Sequence, residues 1–394
     1  MKMKSLKAMG FASLAAVAVQ ALAPAAPALA QDAYVVGISA AMTGRGSAGY
    51  APVAEAIKIY FADLNKQGGV NGHPVKILIR DNQAQASKGA SDAKRFVNQD
   101  GVHLMMNASL SSTYAPMVAV SKKSKTPLLF AGVCPREVYP PANDLQACAT
   151  AYAAGYDARF AMDFIKAKDG SKAKIGLVSM AIPISRAEVD KAAELANSMG
   201  MKAVANESAP PPTPDYSPFA TKIIQAGANW AYSWAPWVTQ IKTFQALRKL
   251  GWKGTFITYA HNNAEEELKR VKDEGLLVYG ANAMFQDNLP VHAEIKAAYD
   301  KAGSKFPLTY FGEGWAHALT LEGLLKNVAW PPTRAKVAAA LDNVDVDLKG
   351  LRGGNLTWTS SNHFRTRHHY RVYRWDNAKQ GIIQLQDWSS YDIK

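Results

Sequence analysis

Runs of apolar residues alternate with amphipathic stretches along the chain from residue 34 onward. Tyr34–Ser39 is an apolar run of strand length, and the segment 50–66 places Val53, Ile57 and Phe61 on one face at helical spacing. Continuous apolar strands of this kind are typical of parallel strands buried on both faces. The pattern therefore predicts an α/β protein whose parallel sheets are covered by helices.

The predicted strands and helices alternate in two successive series, and a loop that contains proline and cysteine separates them. The predicted strands are 34–39, 75–80, 102–106 and 127–131 in the first series, then 174–179, 201–205, 229–233, 255–258 and 276–280 in the second. Near the end of the chain, 368–375 and 382–388 predict two more strands around a turn. Two successive series of similar size predict two lobes, which a chain of 394 residues can accommodate.

The first thirty residues have the three-part pattern of a secretory signal peptide, so we assign 1–30 to one. Residues 1–10 carry three lysines and no acid, 11–26 are uncharged and rich in alanine, and Ala28 and Ala30 suit the peptidase. The alternative is a membrane anchor, against which the nearby prolines argue. No later stretch approaches the ~18 apolar residues of a membrane helix. We expect cleavage after Ala30 and a soluble protein in the periplasm.

Charge and motifs argue against several classes of function. Lys and Arg number 45 and Asp and Glu 32, which gives a net charge of +13. The basic residues are scattered, so we expect no nucleic-acid partner, although a basic surface favours the approach of small anions. The sequence contains no P-loop, no H-E-x-x-H and no G-x-S-x-G, and the glycines within 42–49 have the wrong spacing for a dinucleotide turn. We therefore expect no enzyme activity, no cofactor and no metal site.

Two cysteines, Cys134 and Cys148, flank a loop rich in proline. An exported protein meets an oxidising compartment, where a disulfide between them would persist. The alternative is a pair of buried free thiols, because spacing alone does not supply the geometry that a disulfide needs.

Three segments in order carry a resemblance to a known family. They are YVVGISAAMTG at Tyr34–Gly44, DLNKQGGVNG at Asp63–Gly72 with the strand Val75–Asp81 behind it, and PDYSPF at Pro214–Phe219. Together they resemble the type I periplasmic substrate-binding proteins of ABC importers, in the subgroup that binds branched-chain amino acids and amides.

The resemblance implies two Rossmann-like lobes joined by three hinge crossovers, with a ligand cleft between the lobes. Lobe 1 would comprise 33–152 plus 283–351, and lobe 2 would comprise 153–282 plus 352–394. Open α/β sheets bind ligands beyond the carboxyl ends of their strands, which agrees with such a cleft. The implied protein is a monomer that transiently meets an inner-membrane ABC permease.

The same resemblance assigns binding roles on the first lobe. A hydroxyl and the adjacent backbone at Ser111 would hold a ligand carboxylate, and Ser112 then begins a helix whose N-terminus favours an anion. Tyr50 falls close to an aromatic residue that flanks the ligand. The short loop beside them corresponds to Gly132, Val133 and Cys134.

The second lobe departs from amino-acid-binding members of the family. The stretch after the strand 255–258 carries His261 but no acid to pair with a ligand ammonium. A buried ammonium without a counter-ion would cost several kcal/mol, so we do not expect an α-amino acid. Apolar and aromatic side chains stand in the binding loops instead: Pro183, Ile184, Trp234 and Trp237.

These replacements suit a flat ring, because tryptophan and tyrosine offer stacking beyond simple burial. Arg45, Arg136 and Arg186 are loop arginines that could pair with a carboxylate. We therefore expect a receptor for an aromatic or other hydrophobic carboxylate that serves an ABC importer. The alternatives are a receptor for branched-chain amino acids, for amides or urea, or for aliphatic acids, and a periplasmic sensing partner of a membrane signalling protein.

Overall fold

The computed structural model describes residues 33–260 and 264–394. The predicted signal peptide and His261 lie outside the described residues. Within the described part of the chain, no helix is both long enough and apolar enough to span a membrane.

Strands and helices alternate through the first three quarters of the chain. The strands are β1 (Tyr34–Ala40), β2 (Val75–Asp81), β3 (Leu104–Ala108), β4 (Leu128–Phe130), β5 (Gln146–Cys148), β6 (Lys174–Met180), β7 (Lys202–Ala209), β8 (Trp230–Ser233), β9 (Thr255–Tyr259), β10 (Leu276–Gly280), β11 (Asn343–Val346), β12 (Leu356–Thr359), β13 (Arg367–Asp376) and β14 (Gly381–Asp392). The helices are α1 (Ser47–Lys66), α2 (Ala86–Asn98), α3 (Tyr114–Ser124), α4 (Tyr156–Asp169), α5 (Pro183–Ser198), α6 (Ser217–Gln225), α7 (Trp237–Lys249), α8 (Ala264–Val271), α9 (Pro290–Ala302), α10 (Leu308–Lys326) and α11 (Arg334–Ala340).

The first sheet has five parallel strands in the order β2-β1-β3-β4-β5. Its core includes α1 and α10, which pack against each other. Gly314 permits this close approach, because a methyl group at that position would lie 2.6 Å from the carbonyl oxygen of Val53. The late helix α10 therefore belongs to the layer that covers the first sheet.

The second sheet has seven strands in the order β14-β13-β10-β9-β8-β6-β7. Strands β6 to β10 run parallel, whereas β13 pairs antiparallel with β10 and β14 pairs antiparallel with β13. The two strands predicted near the end of the chain thus extend this sheet at one edge. The predicted α/β class with largely parallel sheets is confirmed.

The chain passes between the two sheets three times: after β5, after β10 and before β13. This agrees with the three crossovers that the resemblance implies, while the exact lobe boundaries stay a prediction. Sequence reasoning did not find β5, nor the elements between β10 and β13. Strand β5 has only three residues, and α10 is buried around most of its circumference, so it lacks the apolar stripe that reveals a surface helix.

Candidate ligand-binding site

Loops at the carboxyl ends of strands from both sheets line one cavity of about 370 Å³. The loops follow β1, β3, β4 and β5 in the first sheet and β6 and β8 in the second, and α10 completes the wall. The lining residues are Gly46, Gly49, Tyr50, Val53, Leu110, Ser111, Tyr114, Ala131, Val133, Cys134, Pro135, Tyr152, Ile182, Ile184, Trp234, Ala235, Pro236, Trp237, Tyr310 and Glu313. The lining is mostly aliphatic and aromatic, which is typical of small-molecule sites.

Trp234 forms a fixed part of the wall on the side of the second sheet and is only 4% exposed. Its indole nitrogen donates to Oδ2 of Asp157 at 2.9 Å, and its carbonyl oxygen accepts from Oγ of Ser185 at 2.7 Å. The Tyr152 ring packs edge-on against the indole and stacks on Tyr259. Two hydrogen bonds and this packing hold the indole in one orientation beside the cavity.

On the side of the first sheet, the turn after β3 is held by its own polar side chains. Asn107 Nδ2 donates to Oγ1 of Thr113 at 2.9 Å, and that hydroxyl donates to the carbonyl of Leu110 at 2.8 Å. These bonds fix a short 3-10 helix, Ser111–Thr113, directly before α3. Ser111 and the first residue of α3, Tyr114, both face the cavity.

Glu313 on α10 is the charged residue among the described lining side chains, and it is buried. Its carboxylate accepts from Nδ2 of Asn282 at 2.6 Å and from Nη2 of Arg352 at 3.2 Å. Although burial disfavours the charged form, the Arg352 guanidinium lowers the pKa of Glu313 to about 2. The carboxylate is therefore ionised at neutral pH, and its charge is balanced inside the protein.

Arg352 connects the cavity wall to the segments that pass between the sheets. The guanidinium donates to the carbonyl oxygens of Ala149 and Thr150 at 3.0 and 3.3 Å, and to Oδ1 of Asn282 at 3.0 Å. Residues 149 and 150 follow β5, Asn282 follows β10, and Arg352 itself lies between β11 and β12. One buried side chain thus joins the cavity wall to the first two crossovers.

The structure brings some of the predicted site residues together at the cavity. Those that line it are Tyr50, Ser111, Val133, Cys134, Ile184, Trp234 and Trp237. Gly132 is buried just behind the wall, and His261 lies outside the described residues. Whether the lining residues bind a ligand stays a prediction.

Other predicted residues lie away from the lining. Pro183 and Arg186 are exposed on the first turn of α5, because the inward face of that turn is taken by Ile184 and Ser185. Ser112 directs its hydroxyl to the carbonyl of Ala84 at 3.1 Å, which is outside the cavity. The three loop arginines are also exposed and do not line the cavity: Arg45, Arg136 and Arg186.

Cys134 and Cys148 form a disulfide, with their Cα atoms 5.9 Å apart. The bond ties the loop after β4 to strand β5, so the cavity loop is fastened to the first sheet. Cys134 therefore lines the cavity as part of a disulfide and offers no thiol proton to a ligand.

Sequence reasoning missed four polar lining residues: Tyr114, Tyr152, Tyr310 and Glu313. Tyr114 had a usable signal, because it lies three residues after Ser111, which the resemblance had already placed at the ligand. The two residues on α10 had none, since that helix was not predicted.

Two α/β sheets whose strand-end loops enclose a cavity of small-molecule size define a bilobal ligand-binding protein. A family model described as periplasmic binding protein matches residues 33–380. The chain belongs to this family, which confirms the resemblance carried by the sequence segments. Members of the family are substrate-binding receptors of transport systems.

Similar proteins include receptors with different ligands in their names. The Leu/Ile/Val-binding protein homolog 2 of Brucella abortus (strain 2308) is 24% identical over 204 residues, or 50% of this chain and 53% of that protein. The chain thus matches about half the length of its curated relatives. A branched-chain amino acid ABC transporter protein from Thermus thermophilus with bound valine aligns with a TM-score of 0.76 at 16% identity, covering 91% of this chain and 97% of that one. A solute-binding protein from R. palustris in complex with 4-hydroxybenzoate aligns with a TM-score of 0.73 at 14% identity, covering 92% and 98%.

Proposed function

We propose that this protein is an exported receptor that captures an aromatic or other hydrophobic carboxylate and delivers it to an ABC importer permease. The observation that carries the proposal is the composition of the cavity wall. Trp234, Trp237 and four tyrosines surround a space of about 370 Å³, and Ser111 supplies a hydroxyl at one side. Aromatic walls favour a flat apolar ligand through burial and ring stacking.

The size and the charge of the cavity support a small organic acid. Ligand pockets commonly measure roughly 300–1,000 Å³, so this cavity suits a ligand with one ring. The structural neighbour from R. palustris holds such a molecule, 4-hydroxybenzoate. The net charge of +13, or +10 without the three lysines of the predicted signal peptide, favours diffusion of an anion toward the protein.

A branched-chain amino acid receptor is the second candidate. The acid that sequence reasoning found missing is present as Glu313, which arrives from α10 and lines the cavity. The names of the Brucella relatives and the valine-bound neighbour point in the same direction. Against this candidate, Arg352 already pairs with Glu313, so an ammonium would have to compete for the carboxylate.

Calorimetric titration separates the two candidates. Protein freed of co-purified ligand by unfolding and refolding is titrated with benzoate, 4-hydroxybenzoate, octanoate, benzamide and leucine. The proposal expects saturable binding of the aromatic acids and none of leucine. Binding of leucine alone would overturn it in favour of the amino acid candidate.

A pair of tryptophan variants tests the cavity itself. Trp237→Ala removes a ring from the wall and should weaken the binding of the aromatic acids by about 10-fold, given the usual worth of an aromatic contact. Trp388→Ala is the matched control, because Trp388 is a half-buried ring on β14 outside the cavity. Equal affinities of the two variants would contradict the placement of the ligand.

Delivery to a permease is tested in cells. Deleting the gene should abolish uptake of the radiolabelled ligand, and restoring it should recover uptake. A strain that keeps full uptake but loses its transcriptional response to the ligand would instead support the sensing partner.

A further inference from the structure

Two tyrosine hydroxyls converge at one point of the cavity wall. A methyl group built on Gly132 would lie 2.6 Å from the hydroxyl oxygen of Tyr114 and 2.8 Å from that of Tyr50. The two phenol oxygens are therefore at most 5.4 Å apart, which is the sum of those distances. They reach this point from different elements, since Tyr50 lies on α1 and Tyr114 begins α3.

Neither hydroxyl is used to hold the fold. Within residues 33–260 and 264–394, no hydrogen bond joins the hydroxyl of Tyr50 or Tyr114 to another protein group, although Tyr114 is only 7% exposed. Both residues line the cavity, so their hydroxyls are available to pair with a ligand or with water inside it. Burial, with Tyr310 nearby, raises the pKa of Tyr50 to about 12, which keeps its proton available for donation.

The described lining contains no lysine, arginine or histidine, and the three arginines that the sequence suggested are exposed elsewhere. An anion that contacts only these described lining residues is held by neutral donors. Hydrogen bonds to a charged acceptor are the strong ones, and two phenols aimed at one point can bind the two oxygens of a carboxylate. Gly132 allows both hydroxyls to approach this part of the wall, because a methyl group there would lie only 2.6 and 2.8 Å from them.

We infer that Tyr50 and Tyr114 form a phenol pair that binds the carboxylate of the ligand and selects carboxylates over the corresponding amides. The inference rests on the proposed function in that the ligand is an organic acid. It assigns the anion to two phenols instead of to arginine, and it gives Tyr114 a role that the sequence did not indicate.

The test compares benzoate with benzamide, which share a ring and differ in charge. Tyr50→Phe and Tyr114→Phe should each weaken benzoate binding by about 10-fold or more and benzamide binding by less than threefold, because the lost bond is strongest to a charged acceptor. Gly132→Ala should lower benzoate affinity as well, since its methyl group would displace both hydroxyls.

Tyr139→Phe is the matched control, because Tyr139 has a buried hydroxyl without a partner in the described structure and lies outside the cavity lining. Its benzoate affinity should be unchanged, and thermal unfolding should show that all four variants fold. A benzoate-to-benzamide ratio that stays at the wild-type value in both phenol variants would overturn the inference.

Failure of the proposed function is a separate outcome. If the wild-type protein binds leucine and not benzoate, the same variants are titrated with leucine and leucinamide. A selective loss for leucine would support the phenol pair with a different ligand, whereas equal losses would overturn it.

Discussion

Substituting Arg352 tests how much the buried ion pair between Arg352 and Glu313 at the cavity wall stabilises the protein. The side chain is 6% exposed, pairs with Glu313 and donates to two carbonyl oxygens of the segment after β5. Arg352→Met keeps a long apolar stem but removes the charge and every donor. The substitution leaves the Glu313 carboxylate buried without its counter-ion.

The expected loss of stability is large. Removing one partner of a buried ion pair costs about 3–5 kcal/mol, because the remaining charge is uncompensated. The matched control is Arg367→Met, whose pair with Asp392 has both side chains 58% exposed. Exposed pairs contribute about 0–1 kcal/mol, so Arg352→Met should destabilise the protein by several kcal/mol more than Arg367→Met.

Urea unfolding at pH 7 measures both free energies of unfolding. A third variant, Arg352→Met with Glu313→Gln, removes both charges and should recover part of the loss, because no uncompensated charge remains. A loss of less than about 1 kcal/mol for Arg352→Met, or no recovery in the double variant, would refute the role of the buried pair.

Three further predictions follow from buried contacts. The pKa of Glu313 is about 2 in the folded protein and its ordinary value is 4.5, so its contribution to stability should be complete above pH 4.5 and lost as the pH falls toward 2. Urea unfolding between pH 2 and 7 measures the free energy of unfolding over that range. Glu313→Gln should make this free energy less dependent on pH below 4.5. Asp157→Ala should release the Trp234 indole and weaken ligand binding by about 5-fold or more in calorimetry, because a buried donor loses its acceptor. The control is Asp169→Ala, which frees the indole of Trp230 outside the cavity and should leave the affinity unchanged. Cys134→Ser should lower the free energy of unfolding by about 3 kcal/mol, as expected for a disulfide that closes a loop of 14 residues, and added reductant should then have no effect on the variant.

The sequence predicted an element well where it is a helix with one apolar face or a strand that is a short apolar run. Apart from β5, the strands of the two main sheets were found because their patterns are local. Helix α10 was not found, because residues on nearly all sides of it are buried between α1 and later elements, and a helix of this kind shows no periodic stripe. Its place in the fold is decided by tertiary packing, which a single sequence does not display.

The site was predicted in part for the same reason. Strand ends identify loops, so Trp234 and Trp237 could be selected from their positions, whereas Tyr50 was selected from the family resemblance. The direction of each side chain within a loop depends on how the next helix begins, and Arg186 consequently faces solvent while Ile184 faces the cavity. Glu313 and Tyr310 come from a helix whose neighbours were unknown.

Glu313 changes the argument about ligand charge. Sequence reasoning set aside amino acids because one loop lacks an acid, yet an acid lines the cavity from a different element. What matters is the charge left after internal pairing, and Arg352 balances Glu313 completely in formal charge. An ammonium ligand would therefore gain a counter-ion only by drawing the carboxylate away from the arginine that contacts the first two crossovers. A carboxylate ligand held by neutral donors leaves that contact intact, which is the stronger reason to expect an organic acid in this cavity.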